Sequence, residues 1–483
     1  MQTTRRTLLK SAAAVVTSVA ASPRLARAAN PPSPVIVKLG AYMSEAATRA
    51  LPDEVIEKTK HHILDTLAAM VSGTELPPGK VAQAMAKAHT GEKTATIVGT
   101  NILCGPIEAA MINGMLAHSD ETDDSHAPSQ SHPGCAVVPA ALAAGEQFGI
   151  SGTHFLRAVT LGYDVGPRFT ATLGRLNYMV ESHRSTHAIS GTFGAAAAAG
   201  CAASLTTKQM RWLLSYTAQQ ASGLASWQRD TEHVEKSFDF GGMPARNGVT
   251  SALLVQAGGS AVDDVLSGAD NFFQAFVPKN DASMLIEKLG ERYEITRTSI
   301  KKWTVGAPIQ APLDALDTLL KQNHFTADQV KQVIVRAAPD EASIVDNREI
   351  PDICLQHLIA VMLVDRTVTF KSAHEAARMK DPLVLKQRAK VQLVRDEELG
   401  RLMPRREAIV EVTLTDGKRL TERVGNVRGT AENPMSREDV IAKARDLITP
   451  VLGASTSAKL IEKIFALETV KNILELRPLL QRL

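Results

Sequence analysis

The amino-acid sequence predicts a mainly helical protein with a smaller part in which strands accompany the helices. Apolar residues recur at helical spacing along most of the chain. Alanine is abundant and aromatic residues make up only 4% of the sequence, which favours closely packed helices. Alternating apolar and polar residues, the pattern of strands, occur in short runs between residues 329 and 424. With 483 residues the chain is too long for one ordinary core, so we expect two domains.

Charge and cysteine content exclude several classes of function. The formal net charge of +3 is close to balanced, and it gives no argument for a nucleic-acid partner or an acidic membrane surface. The four cysteines are far apart and show no C-x-x-C spacing, so neither a zinc knuckle nor a disulfide framework is indicated. Their apolar surroundings predict buried free thiols at Cys104, Cys135, Cys201 and Cys354.

Residues 1–29 predict a targeting segment. Arg5-Arg6 form a twin-arginine pattern, a mildly apolar run follows over residues 11–22, and Ala26-Arg27-Ala28 offers a cleavage site. The run is too short and too weakly apolar to span a bilayer, so we expect no stable membrane insertion. The segment predicts export to the bacterial periplasm by the twin-arginine machinery.

Several stretches before residue 277 carry the helical pattern. In the second of them, apolar residues from Val55 to Val71 recur at an approximate helical spacing. Pro77-Pro78-Gly79 ends this helix, and residues 95–99 form a brief extended piece. The predicted helices cover residues 34–50, 52–72, 82–89, 103–118, 139–148, 154–173 and 210–225.

The pattern changes after residue 300. A helix begins within residues 301–315 and another covers residues 352–361. Residues 409–414 and 420–424 are expected to form a hairpin around the Asp416-Gly417 turn. Two further strands are predicted at residues 329–337 and 391–394. Helices over residues 437–452 and 457–467 close the chain and are expected to return to the first domain.

One stretch, residues 114–134, concentrates ionisable side chains between two apolar helices. Burying charge is costly unless the charge is paired, so an acidic cluster beside a core indicates a functional site. The alternative is a solvated acidic loop in which His118 is simply a satisfied histidine on the helix. The ionisable residues are His118, Asp120, Glu121, Asp123, Asp124, His126 and His132.

This stretch resembles the MmgE/PrpD family, whose members include 2-methylcitrate dehydratase, cis-aconitate decarboxylase and an iminodisuccinate epimerase. Further motifs follow in the family's order. Residues 162–168 resemble its Gly-Tyr-Glu-Val-Gly element, residues 187–194 its His-Pro-Thr-Gly-Thr-Phe-Gly, and residues 236–248 its lysine element. His187 is the best match to the family histidine, and His183 is the second candidate. The matching residues in the first stretch are Asn113-Gly114, His118, Glu121, Asp123-Asp124-Ser125 and His132-Pro133.

The resemblance implies an all-helical domain over residues 30–276 and 433–483, with an α+β lid domain inserted over residues 277–432. It also implies a homodimer and a cleft between the domains. The family's reactions move a proton at a carbon next to a carboxylate, which requires a base and positive groups but no cofactor. We therefore expect a lyase or isomerase that acts on a small di- or tricarboxylate, with dehydration favoured over epimerisation and decarboxylation.

The resemblance also implies the site residues. Lys301 is also expected to supply positive charge. The backbone N–H groups of Gly191–Gly194, which the sequence places at a helix start, are expected to do the same. The expected catalytic residues are Glu121, Ser125, His132, His187, Lys236 and His357. The expected substrate-binding residues are Asp124, Arg168, Lys302 and Gln310.

Two departures leave other functions open. Gln310 stands where the family has a histidine and His357 where it often has a tyrosine, so a changed substrate is expected. The same departures motivate a non-catalytic periplasmic protein that binds a carboxylate. A metal-dependent hydrolase is a further alternative. Its ligands would come from His118, Asp120, Asp123, Asp124, His126 and His132, whereas the preferred reading has no metal.

Overall fold

A computed structural model describes residues 31–277 and 281–482 of the chain. The predicted signal peptide, residues 1–29, lies outside the described residues. Helices dominate the described part, which confirms the mainly α fold class. None of the helices in that part is both long enough and apolar enough to cross a membrane.

Twelve α-helices precede residue 277 in the described part, and a π-helical turn, Phe238–Gly242, separates α10 from α11. They are α1 Pro34–Glu45, α2 Asp53–Gly73, α3 Pro77–Ala88, α4 Pro106–Ala117, α5 Gly134–Phe148, α6 Gly152–Leu173, α7 Arg175–Ser182, α8 Thr186–Ala202, α9 Thr207–Gln219, α10 Val234–Ser237, α11 Met243–Gln256 and α12 Phe272–Phe276. The helices that follow are α13 Gln310–Asn323, α14 Pro339–Val345, α15 Leu355–Asp365, α16 Phe370–His374, α17 Pro382–Arg388, α18 Glu397–Gly400, α19 Arg437–Leu452, α20 Ala454–Phe465 and α21 Arg477–Leu480.

The described strands form two sheets. A short antiparallel pair joins β1 (Ala95–Thr96) to β2 (Leu103–Cys104), and the larger sheet has the order β4-β3-β5-β6. In the larger sheet β3 runs parallel to β4 and antiparallel to β5, which is antiparallel to β6. Its strands are β3 Val330–Ala337, β4 Val391–Arg395, β5 Ala408–Leu414 and β6 Arg419–Val424.

Small residues let the central helices approach closely. A Cβ at Gly194 of α8 would lie 2.8 Å from the carbonyl oxygen of Gly162 in α6 and 2.9 Å from Val137 in α5. Contacts this short exclude any side chain larger than hydrogen. Residues 195–199 of α8 are fully buried alanines, so α8 runs through the centre of the helical core.

Two large apolar cores and one small cluster, Ala311, Ala408 and Val427, lie within the described residues. The larger core contains residues from 36 to 300 and from 435 to 480, and the smaller core contains residues from 303 to 420. Leu285, Ile295 and Ile300 belong to the larger core, although the sequence analysis assigned them to the lid. Helix α19 packs on α2, which returns the C-terminal helices to the first core. We therefore propose domain boundaries near residues 301 and 434.

Candidate active site

The acidic segment, residues 118–133, joins α4 to α5 and is buried in spite of its charges. Asp120 is 4% exposed, Glu121 8% and Asp123 0%. The alternative of a solvated acidic loop is therefore wrong. Buried carboxylates need partners, and each of these three has one or more.

A contact within the acidic segment and a contact from the C-terminal part of the chain anchor this segment. Asp120 accepts a hydrogen bond from the backbone N–H of Thr122 at 3.0 Å, which tightens the turn. Lys443 of α19 donates to the carbonyl oxygen of Thr122 at 2.9 Å and pairs with Asp65 of α2 at 2.6 Å. The returning C-terminal helix thus helps to fix the acidic segment.

Asp123 bridges two histidines. Its Oδ2 lies 3.0 Å from Nδ1 of His118, and its Oδ1 lies 3.0 Å from Nδ1 of His132. Burial would raise the pKa of Asp123, but the two imidazoles outweigh burial and hold that pKa well below its usual range. An ionised carboxylate only accepts hydrogen bonds, so both Nδ1 atoms carry the proton. In each ring Nε2 is therefore the nitrogen that remains for another partner.

His132 is the more accessible of the two rings, since its side chain is 12% exposed whereas that of His118 is buried. Burial lowers the pKa of His132, and Asp123 offsets only part of that effect. The imidazole is therefore neutral near pH 7 and can take up a proton at Nε2.

Glu121 is held between two lysines. Lys236 of α10 contacts its Oε1 directly, and Lys301 lies 3.8 Å from its Oε2. Lys301 also donates to the carbonyl oxygen of Glu121 at 2.7 Å and lies 3.7 Å from Oδ1 of Asp123. Burial would raise the pKa of Glu121, but the two ammonium groups outweigh burial and keep it well below its usual range. The result is a compact group of two cations and two carboxylates beside His132.

The ring of Phe240, in the π-helical turn, packs against the rings of the histidines. It stacks on His187 at 3.9 Å between centroids and on His118 at 4.4 Å. The turn approaches α4 so closely that a Cβ at Gly241 would lie 2.1 Å from the carbonyl oxygen of Gly114. Glycines at both positions allow this approach, which brings Phe240 against the acidic segment.

His187 lies in the first turn of α8, with its ring centroid 5.3 Å from that of His132. Burial lowers the pKa of His187 well below its usual range, and His132 and Lys236 lower it further. His183, the second candidate from the sequence, is exposed at the end of α7 and lies outside this cluster. The structure therefore favours His187.

Sequence reasoning missed His233 altogether and gave Asp123 no role beyond a possible metal ligand. His233 precedes α10, and its ring centroid lies 5.1 Å from that of His118. Its backbone is left-handed, with φ of 63°. Burial lowers its pKa well below the usual range, and Lys236 and His118 add to the effect. In the sequence, its position three residues before Lys236 could have indicated that His233 belongs to the site.

A histidine from the second core also reaches the acidic segment. Nε2 of His374, at the end of α16, lies 2.7 Å from Asp120 and 3.8 Å from Asp352. Burial would lower the pKa of His374, but the hydrogen bond and charge of Asp120 raise it to about 9. This ion pair ties the smaller core to the residue directly before Glu121.

Two predicted residues of the acidic segment serve the fold. Asp124 accepts hydrogen bonds from Nδ1 of His62 at 2.7 Å, the hydroxyl of Tyr163 at 2.6 Å and the N–H of Gly134 at 3.0 Å. These three partners occupy both of its oxygens, so the expected substrate-binding role of Asp124 is not supported. Ser125 pairs through its backbone with Ser299, which aligns the segment with the chain that leads to Lys301.

Arg168 and Lys302 are also used elsewhere. Arg168 donates to the carbonyl oxygens of Glu287 at 2.6 Å and Arg292 at 2.8 Å, and it pairs with Asp164. Lys302 lies 3.0 Å from Asp317 and stacks on Trp303 at 4.2 Å. Neither cation faces the histidine cluster, because carbonyl groups and carboxylates of neighbouring segments already hold them.

The two departures from the family pattern lie in the smaller core. The side-chain amide of Gln310 bonds to the backbone N–H and carbonyl of Trp303 and to the carbonyl of Val305. His357 of α15 is fully buried, and burial together with Arg388 and Arg378 lowers its pKa to about 4. Neither residue contacts the cluster, so the expected catalytic and binding roles are not supported.

The expected glycine N–H groups are not available, and only part of the expected metal-ligand set is brought together. His118 and His132 meet at Asp123, whereas Asp124 and His126 bond to other partners. Gly191 and Gly194 lie inside α8, which begins at Thr186, so their N–H groups belong to the helix interior. A Cβ at Gly191 would lie 2.8 Å from Pro244, so the glycine serves helix packing. His126 bonds to Ser129 at 2.7 Å and turns away from the cluster.

Chemically, the cluster combines a neutral imidazole base with two cations that can hold an anion. Glu121, His132, His187 and Lys236 are the predicted catalytic residues that the structure brings together. Ser125 is positioned only by its backbone pairing. Cys135 lies beneath the cluster, where burial and Asp123 raise the pKa of its thiol well above the usual range, so it is inert.

Comparison with known proteins matches nearly the whole described chain. The MmgE/PrpD N-terminal domain matches residues 37–285, and the MmgE/PrpD C-terminal domain matches residues 303–468. The cis-aconitate decarboxylase of Aspergillus terreus (strain NIH 2624 / FGSC A1156) is 26% identical over 485 residues, which cover 93% of this chain and 96% of that protein. The cis-aconitate decarboxylase of Homo sapiens is 27% identical over 455 residues, which cover 89% of this chain and 91% of that protein. The chain belongs to the MmgE/PrpD family.

Proposed function

We propose that this protein is a lyase that acts on a small di- or tricarboxylate by moving a proton at the carbon next to a carboxylate. The observation that carries the proposal is the contact of Asp123 with His132 at 3.0 Å, which leaves Nε2 of a neutral imidazole to take up a proton in a site that also holds Lys236 and Lys301. Relatives named cis-aconitate decarboxylases support a lyase that acts on a carboxylate. The step needs no cofactor.

His132 is the base in this proposal. A carbon acid next to a carboxylate is weak, so the base must be neutral before the reaction and held at a fixed angle. Burial supplies the first condition by lowering the pKa of His132, and Asp123 supplies the second. His187 stands beside it on the Phe240 ring and is the second group able to carry a proton.

Lys236 and Lys301 hold the negative charge that develops on the substrate. Both are fixed in a buried region where charge interactions are stronger than in water. Glu121 neutralises them in the free protein, and a substrate carboxylate would share or replace that contact. This exchange keeps the two cations paired before and after binding.

Within the lyase class we propose dehydration, because a neutral imidazole is suited to remove a proton from carbon in the first step. Decarboxylation is the second candidate, and the names of the relatives favour it. The non-catalytic alternative rested on Gln310 and His357, which lie away from the cluster. It therefore loses its motivation. The hydrolase is weakened, because Asp124 and His126 of its expected ligand set bond to other partners.

The test is a product analysis with the purified full chain. Proton NMR and CO₂ release are followed with 2-methylcitrate, cis-aconitate and smaller hydroxydicarboxylates as substrates. Loss of water from one hydroxy acid without CO₂ supports the proposal. CO₂ release from cis-aconitate would instead support decarboxylation, the second candidate. Ligand-dependent thermal stabilisation without any turnover would refute both.

We also propose periplasmic export through Arg5-Arg6 and a homodimer as the working assembly. The first rests on the twin-arginine pattern and the second on what the family resemblance implies. Both stay predictions.

A further inference from the structure

Three polar groups of the site converge on a point that the proposed proton transfer does not use. One ring nitrogen of His118, one of His233 and one carboxylate oxygen of Glu121 all lie within 4.8 Å of one another. Imidazole nitrogens and carboxylate oxygens are preferred ligands of Zn²⁺. We propose that His118, Glu121 and His233 form a binding site for Zn²⁺, and that zinc bound there inhibits the lyase.

The first argument is that two of these atoms lack partners. Nε2 of His118 and Nε2 of His233 are buried, and neither has a hydrogen-bond partner within the described residues. Buried polar atoms normally have partners, and no protein group supplies one here, so both nitrogens are available to a ligand. His118 is itself fully buried, so its Nε2 belongs to the interior of the protein and not to its surface.

The second argument is the tautomer of His118. Asp123 accepts the hydrogen bond from Nδ1, so Nε2 is the ring nitrogen whose lone pair can bind a metal. A carboxylate behind a ligating imidazole is a common arrangement at metal sites, because it orients the ring and raises its basicity. A carboxylate of the substrate has no proton to offer to that lone pair. One cation satisfies the His118 nitrogen, the His233 nitrogen and Glu121 together.

The third argument is size. Three atoms separated by at most 4.8 Å surround a centre that lies no farther from each than 4.8 Å divided by √3, about 2.8 Å. Zinc bonds to nitrogen and oxygen measure about 2.0–2.2 Å. Each ligand therefore needs to move by less than about 1 Å, which side-chain rotation supplies. Three protein ligands leave the fourth zinc position open.

The charges nearby explain why zinc would inhibit. Lys236 contacts Glu121 in the free protein, and a cation on Glu121 competes with it. Bound zinc would therefore separate Glu121 from Lys236 and add charge beside Lys301, which lies 3.8 Å from the same carboxylate. Only this inhibitory clause rests on the proposed function, because zinc binding can be measured without any substrate.

The experiment titrates the purified full chain with ZnCl₂ by calorimetry and records visible spectra with Co²⁺ as a substitute. His233→Asn removes one ligand and keeps a residue that tolerates the left-handed backbone at this position. Lys236→Met removes the competitor. Exposed His89 provides a matched control as His89→Asn. Thermal unfolding verifies that each variant is folded.

We expect one zinc ion per chain and Co²⁺ absorption bands of a low-coordinate N/O site. His233→Asn should weaken zinc binding roughly tenfold or more. Lys236→Met should strengthen it, and His89→Asn should leave it unchanged. Absence of stoichiometric binding, equal affinity in His233→Asn, or weaker binding in Lys236→Met would overturn the site. Zinc binding that leaves turnover unaffected would overturn the inhibitory clause alone, and a failed search for turnover would leave the binding result intact.

Discussion

Oδ1 of Asp123 accepts a hydrogen bond from Nδ1 of His132 at 3.0 Å, while Oδ2 of the same carboxylate holds His118. This arrangement fixes the tautomer of His132 and leaves Nε2 as the nitrogen that can take up a proton. The proposed base therefore depends on a residue that contacts no substrate.

Asp123→Asn tests that dependence. The asparagine amide can donate to Nδ1 and so stabilise the wrong tautomer of His132, in the way that an Asp-to-Asn change disables a Ser-His-Asp triad. We expect kcat to fall roughly a thousandfold or more with little change in KM. Steady-state kinetics measure the effect, and a near-normal kcat in a folded variant would remove Asp123 from the account.

The pH profile tests the protonation state of His132. Burial lowers the pKa of His132 from its ordinary value of 6.5, and the base must be neutral to act. The rate constant kcat/KM should therefore stay on its plateau below pH 6.5 and fall only at lower pH. If kcat/KM falls toward acid with a midpoint above pH 7, this assignment is contradicted.

Lys236→Met tests the cation that holds the substrate. The change keeps the aliphatic part of the side chain and deletes a charge-assisted hydrogen bond of roughly 1.5–3 kcal/mol, so kcat/KM should fall about ten- to a hundredfold. Lys208→Met is the matched control, since both lysines lie over a tryptophan ring, at 5.3 Å and 5.0 Å respectively. Equal activity in both variants would show that Lys236 does not hold the substrate.

His374 predicts a pH-dependent stability. Its pKa is raised from 6.5 to about 9 by Asp120, so the folded state holds the proton more tightly than the unfolded chain does. The stabilisation is fully present below pH 6.5 and is lost as pH rises through about 9, a difference of roughly 3 kcal/mol. Denaturant unfolding between pH 6 and pH 10 should show this decline in the wild type.

His374→Gln supplies the control for this measurement. Glutamine keeps a hydrogen bond to Asp120 but does not titrate, so the decline between pH 6.5 and 9 should be reduced in the variant. The same decline in both proteins would show that other groups cause it.

The export proposal is tested by a reporter fused to residues 1–35. The fusion should reach the periplasm, and changing Arg5 and Arg6 to lysine should abolish export. Export that survives the double change would exclude the twin-arginine pathway.

Local patterns predicted much of the fold. The four strands of the larger sheet begin and end within one residue of their predicted bounds, because alternation and the Asp416-Gly417 turn are local signals. The predicted helix over residues 103–118 contains strand β2 at its start, because Leu103 and Cys104 pair with Thr96 and Ala95. A short apolar stretch of this kind does not distinguish a strand from the start of a helix.

Motifs located the site but could not assign its members. The family match brought forward Lys236 and His132, which both lie against the ring of Phe240 in the structure. It also brought forward Arg168, whose partners Glu287 and Arg292 lie more than a hundred residues away in sequence. Only the folded chain shows that these carbonyl groups already hold the guanidinium.

The most direct test of the central claim is deuterium exchange at the substrate carbon next to the carboxylate. Proton NMR in deuterated water follows the C–H signal of whichever substrate the wild type turns over, in parallel with His132→Gln. The account predicts that the wild type converts or exchanges this C–H and that folded His132→Gln loses at least about a hundredfold of that rate. Undiminished loss of the C–H signal in His132→Gln would contradict it.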